Sequence, residues 1–162
     1  MRSEDAFKLI DSLPRAKFVA QVSGNFLLVV SMLDQQAAKG AFHTHSEGSG
    51  PTLRAPKLEI FEVVKARGNP FPDRISVGRA GNCDIVLPDP SVSKLHAHLR
   101  PRKEGGFELV DVGSQNGTTV NGVKLVPDNG RALATRDSLV FGKVAAKFVD
   151  AGMLYDLVKT LR

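Results

Sequence analysis

The chain has 162 residues, of which 42% are hydrophobic and 24% charged, with a formal net charge of +5. That is room for one globular domain with extensions, and the single cysteine, Cys83, excludes an internal disulfide and a cysteine-ligated zinc site. The most apolar window, Phe18–Leu33, is too short to span a bilayer and is broken by Gln21, Ser23, Gly24 and Asn25; with the acids of "MRSED" at the start, the chain reads as cytoplasmic, with no membrane partner.

"SEDAFKLIDSLP" is expected to form a short helix. Ser3 is placed to cap it, Glu4 and Asp5 suit its first turn, and Ala6, Leu9, Ile10 and Leu13 form an apolar stripe. Two apolar runs follow, Phe18–Val22 and Phe26–Met32, joined by "SGN", and predict a small hairpin with one buried strand. Residues 1–33 are thus an amino-terminal extension docked on the main domain, because the run Phe26–Val30 is too apolar to leave in water. Periodicity is then lost in Asp34–Pro51, and residues 34–56 are expected to be a flexible linker.

From Leu58 onward the signals are strands and turns. Strands are expected at Leu58–Lys65, Arg74–Val77, Asp84–Leu87, Leu95–Arg100, Phe107–Val112, Thr118–Val120, Leu139–Phe141 and Val144–Val149. Many short strands with no long helix between them indicate an all-β antiparallel sandwich or barrel over 57–150. Over 151–162, Met153, Leu154, Leu157, Val158 and Leu161 share one helical face, and Asp150 can cap that helix. Residues 1–50 hold five basic and five acidic side chains and 51–162 hold seventeen and twelve, so the whole excess of positive charge lies in the second part. It suits an anionic partner or a solvated basic surface equally well.

Three loops concentrate polar groups. "GSQNGTTVNG", Gly113–Gly122, holds two Asn-Gly pairs, which favour tight turns with positive φ. "SVSKLHAHLR", Ser91–Arg100, alternates so that Leu95, Ala97 and Leu99 would face a core and His96, His98 and Arg100 the outside; His96 is expected to brace neighbouring loops rather than to be buried. Arg79 follows Gly78 at a strand end, where it is either a solvated surface residue or a planar fork for an anion.

The ordered set of Gly78-Arg79, "NCDIVLPDPSVSKLHA", "FELVDVGSQNGTTVNG" and "RDSLVFG" resembles the forkhead-associated (FHA) domain, a phosphothreonine-binding module, over about Leu58–Asp150. The resemblance implies a sandwich of two antiparallel sheets with eleven strands and binding loops at one end. It also implies that Arg79 and Ser93 contact phosphate, that Lys94 and Gln115 neighbour them, and that Asn116 holds the peptide backbone. Gly78, His96, Gly117 and Asn121 would shape the loops. Lys94 stands where the family commonly has Arg, and Arg136-Asp137 where Gly-Asp is usual. The implied function is phosphothreonine-dependent protein–protein interaction in Ser/Thr kinase signalling, with a phosphothreonine-containing protein, a kinase or its substrate, as partner.

Other classes fit less well. Ser93 and His96, with Asp111 or Asp137 as orienter, could suggest a nucleophile and base, but no nucleophile-elbow signature accompanies them, so the chain is not read as an enzyme. The pairs His43/His45 and His96/His98 have strand spacing for a metal, yet the first lies in the linker and the second follows from alternation; no metal or cofactor is expected. Leu99–Lys103 is basic but short and lacks aromatics, against nucleic acid. A phosphate-independent interaction or dimerisation module with the same fold remains the alternative, and the oligomeric state is open.

Overall fold

The computed structural model describes residues 1–31 and 57–162. The expected linker over 34–56, with His43 and His45, lies outside the described residues. Among the described residues no helix is long and apolar enough to cross a membrane.

Two sheets face each other. The six-stranded sheet runs in the order β2 (Lys57–Glu62), β1 (Asn25–Ser31), β11 (Val144–Asp150), β10 (Ser138–Phe141), β7 (Thr118–Val120) and β8 (Val123–Lys124). The five-stranded sheet runs β4 (Ile85–Val86), β3 (Ile75–Gly78), β5 (Ala97–Pro101), β6 (Phe107–Asp111) and β9 (Arg131–Ala132). Pairing is antiparallel except between β3 and β4, which are parallel, with Val77 opposite Ile85. The expected two-sheet antiparallel sandwich stands apart from this one pair, where Gly-Arg begins a loop that carries the chain back along the same edge before β4 starts. The two-residue strands β8 and β9 carry no alternation that a sequence could show.

The strand β1 explains why its sequence is apolar throughout. Leu27 and Val29 point into the core between the sheets, beside Leu99, Leu139, Phe141 and Phe148. Phe26 and Leu28 point the other way, into a second core with Ala6, Ile10, Phe18, Leu154 and Val158. A strand covered on both faces has no polar face to show, and each fully buried large side chain contributes roughly 1.5–3 kcal/mol. Both edges of β1 are occupied, by β2 and by β11 in registers Leu28↔Ile60 and Leu28↔Lys147.

That occupancy overturns the expected hairpin. Residues Phe18–Val22 have no edge of β1 left to pair with, and the chain instead forms α2 (Arg15–Gln21), a helix that buries Phe18 and leaves Val19 exposed. Pro14 precedes it as the cap residue. The first helix, α1, spans Ser3–Ser12 and buries Ala6 and Ile10. Its cap position is Arg2, so Ser3 does not cap it. Ser3 Oγ instead accepts from the Ile60 N–H (2.8 Å) and donates to the Ile60 carbonyl (3.1 Å), which covers the open edge of β2. The last helix, α3 (Ala151–Leu161), is capped as expected, with Asp150 accepting from the Met153 N–H at 2.8 Å. Tyr155 ties α3 to the first helices: its hydroxyl donates to the Leu13 carbonyl at 3.0 Å and its ring packs on Phe18.

Candidate functional site

The loops β3–β4, β4–β5 and β6–β7 are stitched together by backbone and side-chain bonds. The Arg79 N–H donates to the Ser93 carbonyl (3.0 Å) and its Nε to the Val92 carbonyl (3.1 Å). One edge of the guanidinium is thereby fixed, and its two terminal nitrogens have no hydrogen bond among the described residues. Ser93 Oγ accepts from the Gln115 N–H at 3.0 Å, so the hydroxyl keeps its proton to donate. The Lys94 carbonyl accepts from the Ala80 N–H (3.1 Å) and the Cys83 thiol (3.3 Å), while the residue is exposed. Asn116 Nδ2 donates to the Ser91 carbonyl at 2.8 Å, which leaves its Oδ1 and a second N–H available. Arg79, Ser93, Lys94, Gln115 and Asn116 thus converge at one end of the sandwich.

The loop-shaping residues act from beneath. A Cβ on Gly78 would lie 2.3 Å from the Lys94 carbonyl oxygen, so only glycine lets these two loops approach. His96 is fully buried, contrary to the expectation of an outward ring, but it does brace the loops. Its Nδ1 accepts from the Ser93 N–H (3.0 Å) and its Nε2 donates to the Gly117 carbonyl (3.0 Å). These partners require the neutral ring with the proton on Nε2. Burial pushes its pKa below the ordinary histidine value, against the Gly117 bond and Asp111. Because the strand begins only at Ala97, Leu95 stays in the loop and is exposed rather than in the core, while Ala97 and Leu99 are buried as expected. Asn121 stands apart from this cluster. It has φ +50°, and its side chain bonds Asp137 Oδ1 (2.9 Å) and the Ser138 N–H (2.9 Å), which holds the 134–138 turn.

Asp111 is the group that sequence reasoning misassigned, since it entered only as a catalytic orienter. It is 2% exposed. Its Oδ1 accepts from the N–H groups of Gly113 (2.8 Å) and Ser114 (2.9 Å), and its Oδ2 from the hydroxyls of Ser114 and Thr118 (both 2.6 Å). Burial alone would raise its pKa, but the Ser114 and Thr118 hydroxyls and the two N–H groups outweigh it and hold the carboxyl below its usual range. An Asp bonding N–H groups two and three residues on is an Asx turn, and "DVGS" is its readable trace. Ser91 was also missed. Its Oγ donates to Asp89 (2.6 Å) and accepts from the Lys143 N–H (2.9 Å), and its carbonyl receives Asn116.

The geometry bears on the rival chemistries. Ser93 meets His96 through its backbone N–H and not its hydroxyl, so no nucleophile–base pair exists there. Both nitrogens of His96 are engaged inside the fold, which leaves neither for a metal shared with His98.

The comparisons agree with this geometry. The model of the FHA domain matches residues 75–142, a stretch holding every one of these loops. The chain is 43% identical over 119 residues to the oxoglutarate dehydrogenase inhibitor of Corynebacterium diphtheriae, covering 72% of this chain and 80% of that one. It is 44% identical over 75 residues to the glycogen accumulation regulator GarA of Mycolicibacterium smegmatis, covering 46% of this chain and 44% of the relative. Against a second inhibitor, from Corynebacterium efficiens, it spans about half of the relative's length, at 45% identity over 74 residues. Among solved structures, a protein of Synechocystis sp. superposes with a TM-score of 0.51 at 17% identity, covering 77% of this chain and 96% of that one, and shares the fold. With its two-sheet architecture, its ordered loop motifs and these relatives, the chain belongs to the forkhead-associated domain family.

Proposed function

We propose that the chain is a non-catalytic module that binds phosphothreonine segments of other proteins through Arg79, Ser93, Lys94, Gln115 and Asn116. The observation that carries this reading is the fixed guanidinium of Arg79. Its Nε is spent on the Val92 carbonyl, which leaves its two terminal nitrogens as a fork, and the Ser93 hydroxyl, which accepts from the Gln115 N–H, keeps its proton to donate. A phosphothreonine carries about −1.5 to −2 charges and three acceptor oxygens, and needs several such donors held in advance. The ammonium of Lys94 adds a point charge without a fork. Asn116, with one acceptor and one N–H left, suits the N–H and carbonyl of an extended peptide. Two or three charge-assisted bonds of about 1.5–3 kcal/mol each support micromolar affinity, about −8 kcal/mol.

The relatives are an inhibitor and a regulator by name, which supports action by binding rather than by catalysis. It also makes a metabolic enzyme complex of the oxoglutarate dehydrogenase type a partner to test, alongside a kinase or its substrate.

Titration calorimetry with phosphothreonine peptides tests the reading. Arg79→Ala removes the fork from a turn without a core contact, so the fold survives and affinity falls by at least about 2 kcal/mol. A folded variant with unchanged affinity would place the phosphate site elsewhere.

A further inference from the structure

The outer face of the five-stranded sheet carries a cavity apart from the proposed phosphate contacts. Alternation sends Ile75, Val77, Ala97 and Leu99 into the core between the sheets, and the register partners Ser76 and His98 to the other side. Between these two residues and the 66–74 loop lies a pocket of about 410 Å³ with mainly apolar walls. Phe71 and Leu95 line it and are 55% and 51% exposed. Of Arg79, Ser93, Lys94, Gln115 and Asn116, only Lys94 reaches it.

The pocket is built into the fold. Asp84, whose side chain is wholly buried, ties the 66–74 loop to the sheet. Its carboxylate accepts from the Ala66 N–H (2.8 Å), Asn69 Nδ2 (2.9 Å) and the Ser76 hydroxyl (2.8 Å), and pairs with Lys65 Nζ (3.0 Å). Asn69 Oδ1 in turn accepts from the Phe71 N–H at 3.3 Å, a local turn that sets the Phe71 backbone. The wall is thus in place before any ligand arrives, and a preformed, mostly apolar cavity with few polar groups is what small-molecule sites share.

Two observations define the ligand. The first is an unpaired polar atom. His98 lines the pocket, is only 7% exposed, and its Nε2 has no hydrogen-bond partner among the described residues. A buried nitrogen left unpaired is a standing cost that an incoming polar atom relieves. Burial, with Arg74 and then Arg100 close by, keeps the His98 ring below its ordinary pKa and uncharged. A hydroxyl both donates and accepts, so it meets either neutral tautomer. The second is charge. The Arg74 guanidinium is paired with Asp73 (2.7 Å) and stacked over the Phe71 ring at 5.6 Å, and Lys94 is exposed to screening water. An anion finds its cations engaged or screened, whereas an aromatic ring gains contact with Phe71 beyond the area it buries.

We propose that this pocket is a small-molecule site for a neutral aromatic compound bearing one hydroxyl, its rings against Phe71 and Leu95 and its hydroxyl on His98 Nε2. The site is separate from the phosphate-facing loops, and its occupation needs no phosphothreonine partner. The chain thereby carries two binding functions, one for a polypeptide at the loop end and one for a small molecule on the sheet face.

The test is titration of 2-naphthol into the full chain, followed by NMR shifts, with 2-naphthoate as the anionic counterpart of the same rings and no peptide present. Saturable shifts are expected at Phe71, Leu95 and His98, with 2-naphthoate bound at least about tenfold more weakly. His98→Phe keeps a ring and removes the unpaired nitrogen. It should bind 2-naphthol about tenfold more weakly, with its melting temperature held or raised. Phe71→Ser, at an exposed position, should weaken 2-naphthol by about the same factor, and it decides the matter where His98→Phe does not fold. Absence of saturable shifts at these residues, equal affinity for 2-naphthoate, or either folded variant binding as wild type does overturns the site. Each of these outcomes leaves the phosphothreonine reading standing, since no phosphothreonine enters the experiment.

Discussion

Replacing Asp111 with asparagine tests whether one carboxylate holds the candidate binding loop together. The substitution is nearly isosteric, so it changes charge and donor pattern rather than packing. In the wild type four groups donate to this carboxylate, at 2.6 to 2.9 Å. In the variant the amide oxygen keeps the Gly113 and Ser114 N–H groups as neutral bonds, and an NH2 group faces the Ser114 and Thr118 hydroxyls, which must turn to accept. Four charge-assisted bonds at about 1.5–3 kcal/mol each set the gross gain, and burial of the charge offsets much of it. The lowered pKa shows that the bonds win over burial. The net expected loss is about 2–3 kcal/mol, a large fraction of the roughly 5–15 kcal/mol of a typical domain. Urea unfolding measures it, with Thr118→Val and the double variant completing a cycle. Thr118 is fully buried and its hydroxyl serves only Asp111 among the described residues, so the two losses should be coupled by about 1 kcal/mol. An Asp111→Asn loss under about 0.5 kcal/mol, or additivity within about 0.3–0.5 kcal/mol, would refute the reasoning.

Other outcomes follow from the same bonds. Asn116→Ala should weaken phosphothreonine peptides of any flanking sequence by about 1–3 kcal/mol in calorimetry; a variant weakened in urea that binds normally while folded reduces the residue to architecture. Folded-state pKa values of His96 and His98 lie below the unfolded value of about 6.5, so their contribution is present above that pH and is lost as pH falls through the folded values. Unfolding free energy should therefore drop from about pH 6.5 downward, above the carboxylate range, and a flat profile from pH 7.5 to 5 contradicts it. Arg136 sits at φ +83° where the family usually has glycine. Arg136→Gly relieves about 1–2 kcal/mol of left-handed strain at an entropic cost of about 0.5–1 kcal/mol, so the melting temperature should rise slightly; a fall shows that Arg136 makes a contact worth more than its strain.

The sequence alone determined what short-range chemistry controls. Period-two alternation placed β2, β3, β6, β7, β10 and β11 within a few residues, Asp150 announced the cap of α3, and the ordered loop motifs named the family and the polar cluster. The Asx turn at Asp111 went unread although its trace, "DVGS", is local, with bonds that run only two and three residues along the chain. Other features depended on pairing partners remote in sequence. Phe18–Val22 reads as strand or helix on its own apolar content, and only the occupation of both edges of β1, by β2 and by β11, both remote in sequence, excluded the strand. Leu95 and His96 were misplaced for a related reason: alternation says which side chains share a face, but not at which residue the strand begins. That point is decided by the Ser93 N–H and the Gly117 carbonyl, which meet the His96 ring and draw it inward. The pocket beside His98 had no linear signature at all, since its walls come from a loop and two strands that touch only once the sheet has formed.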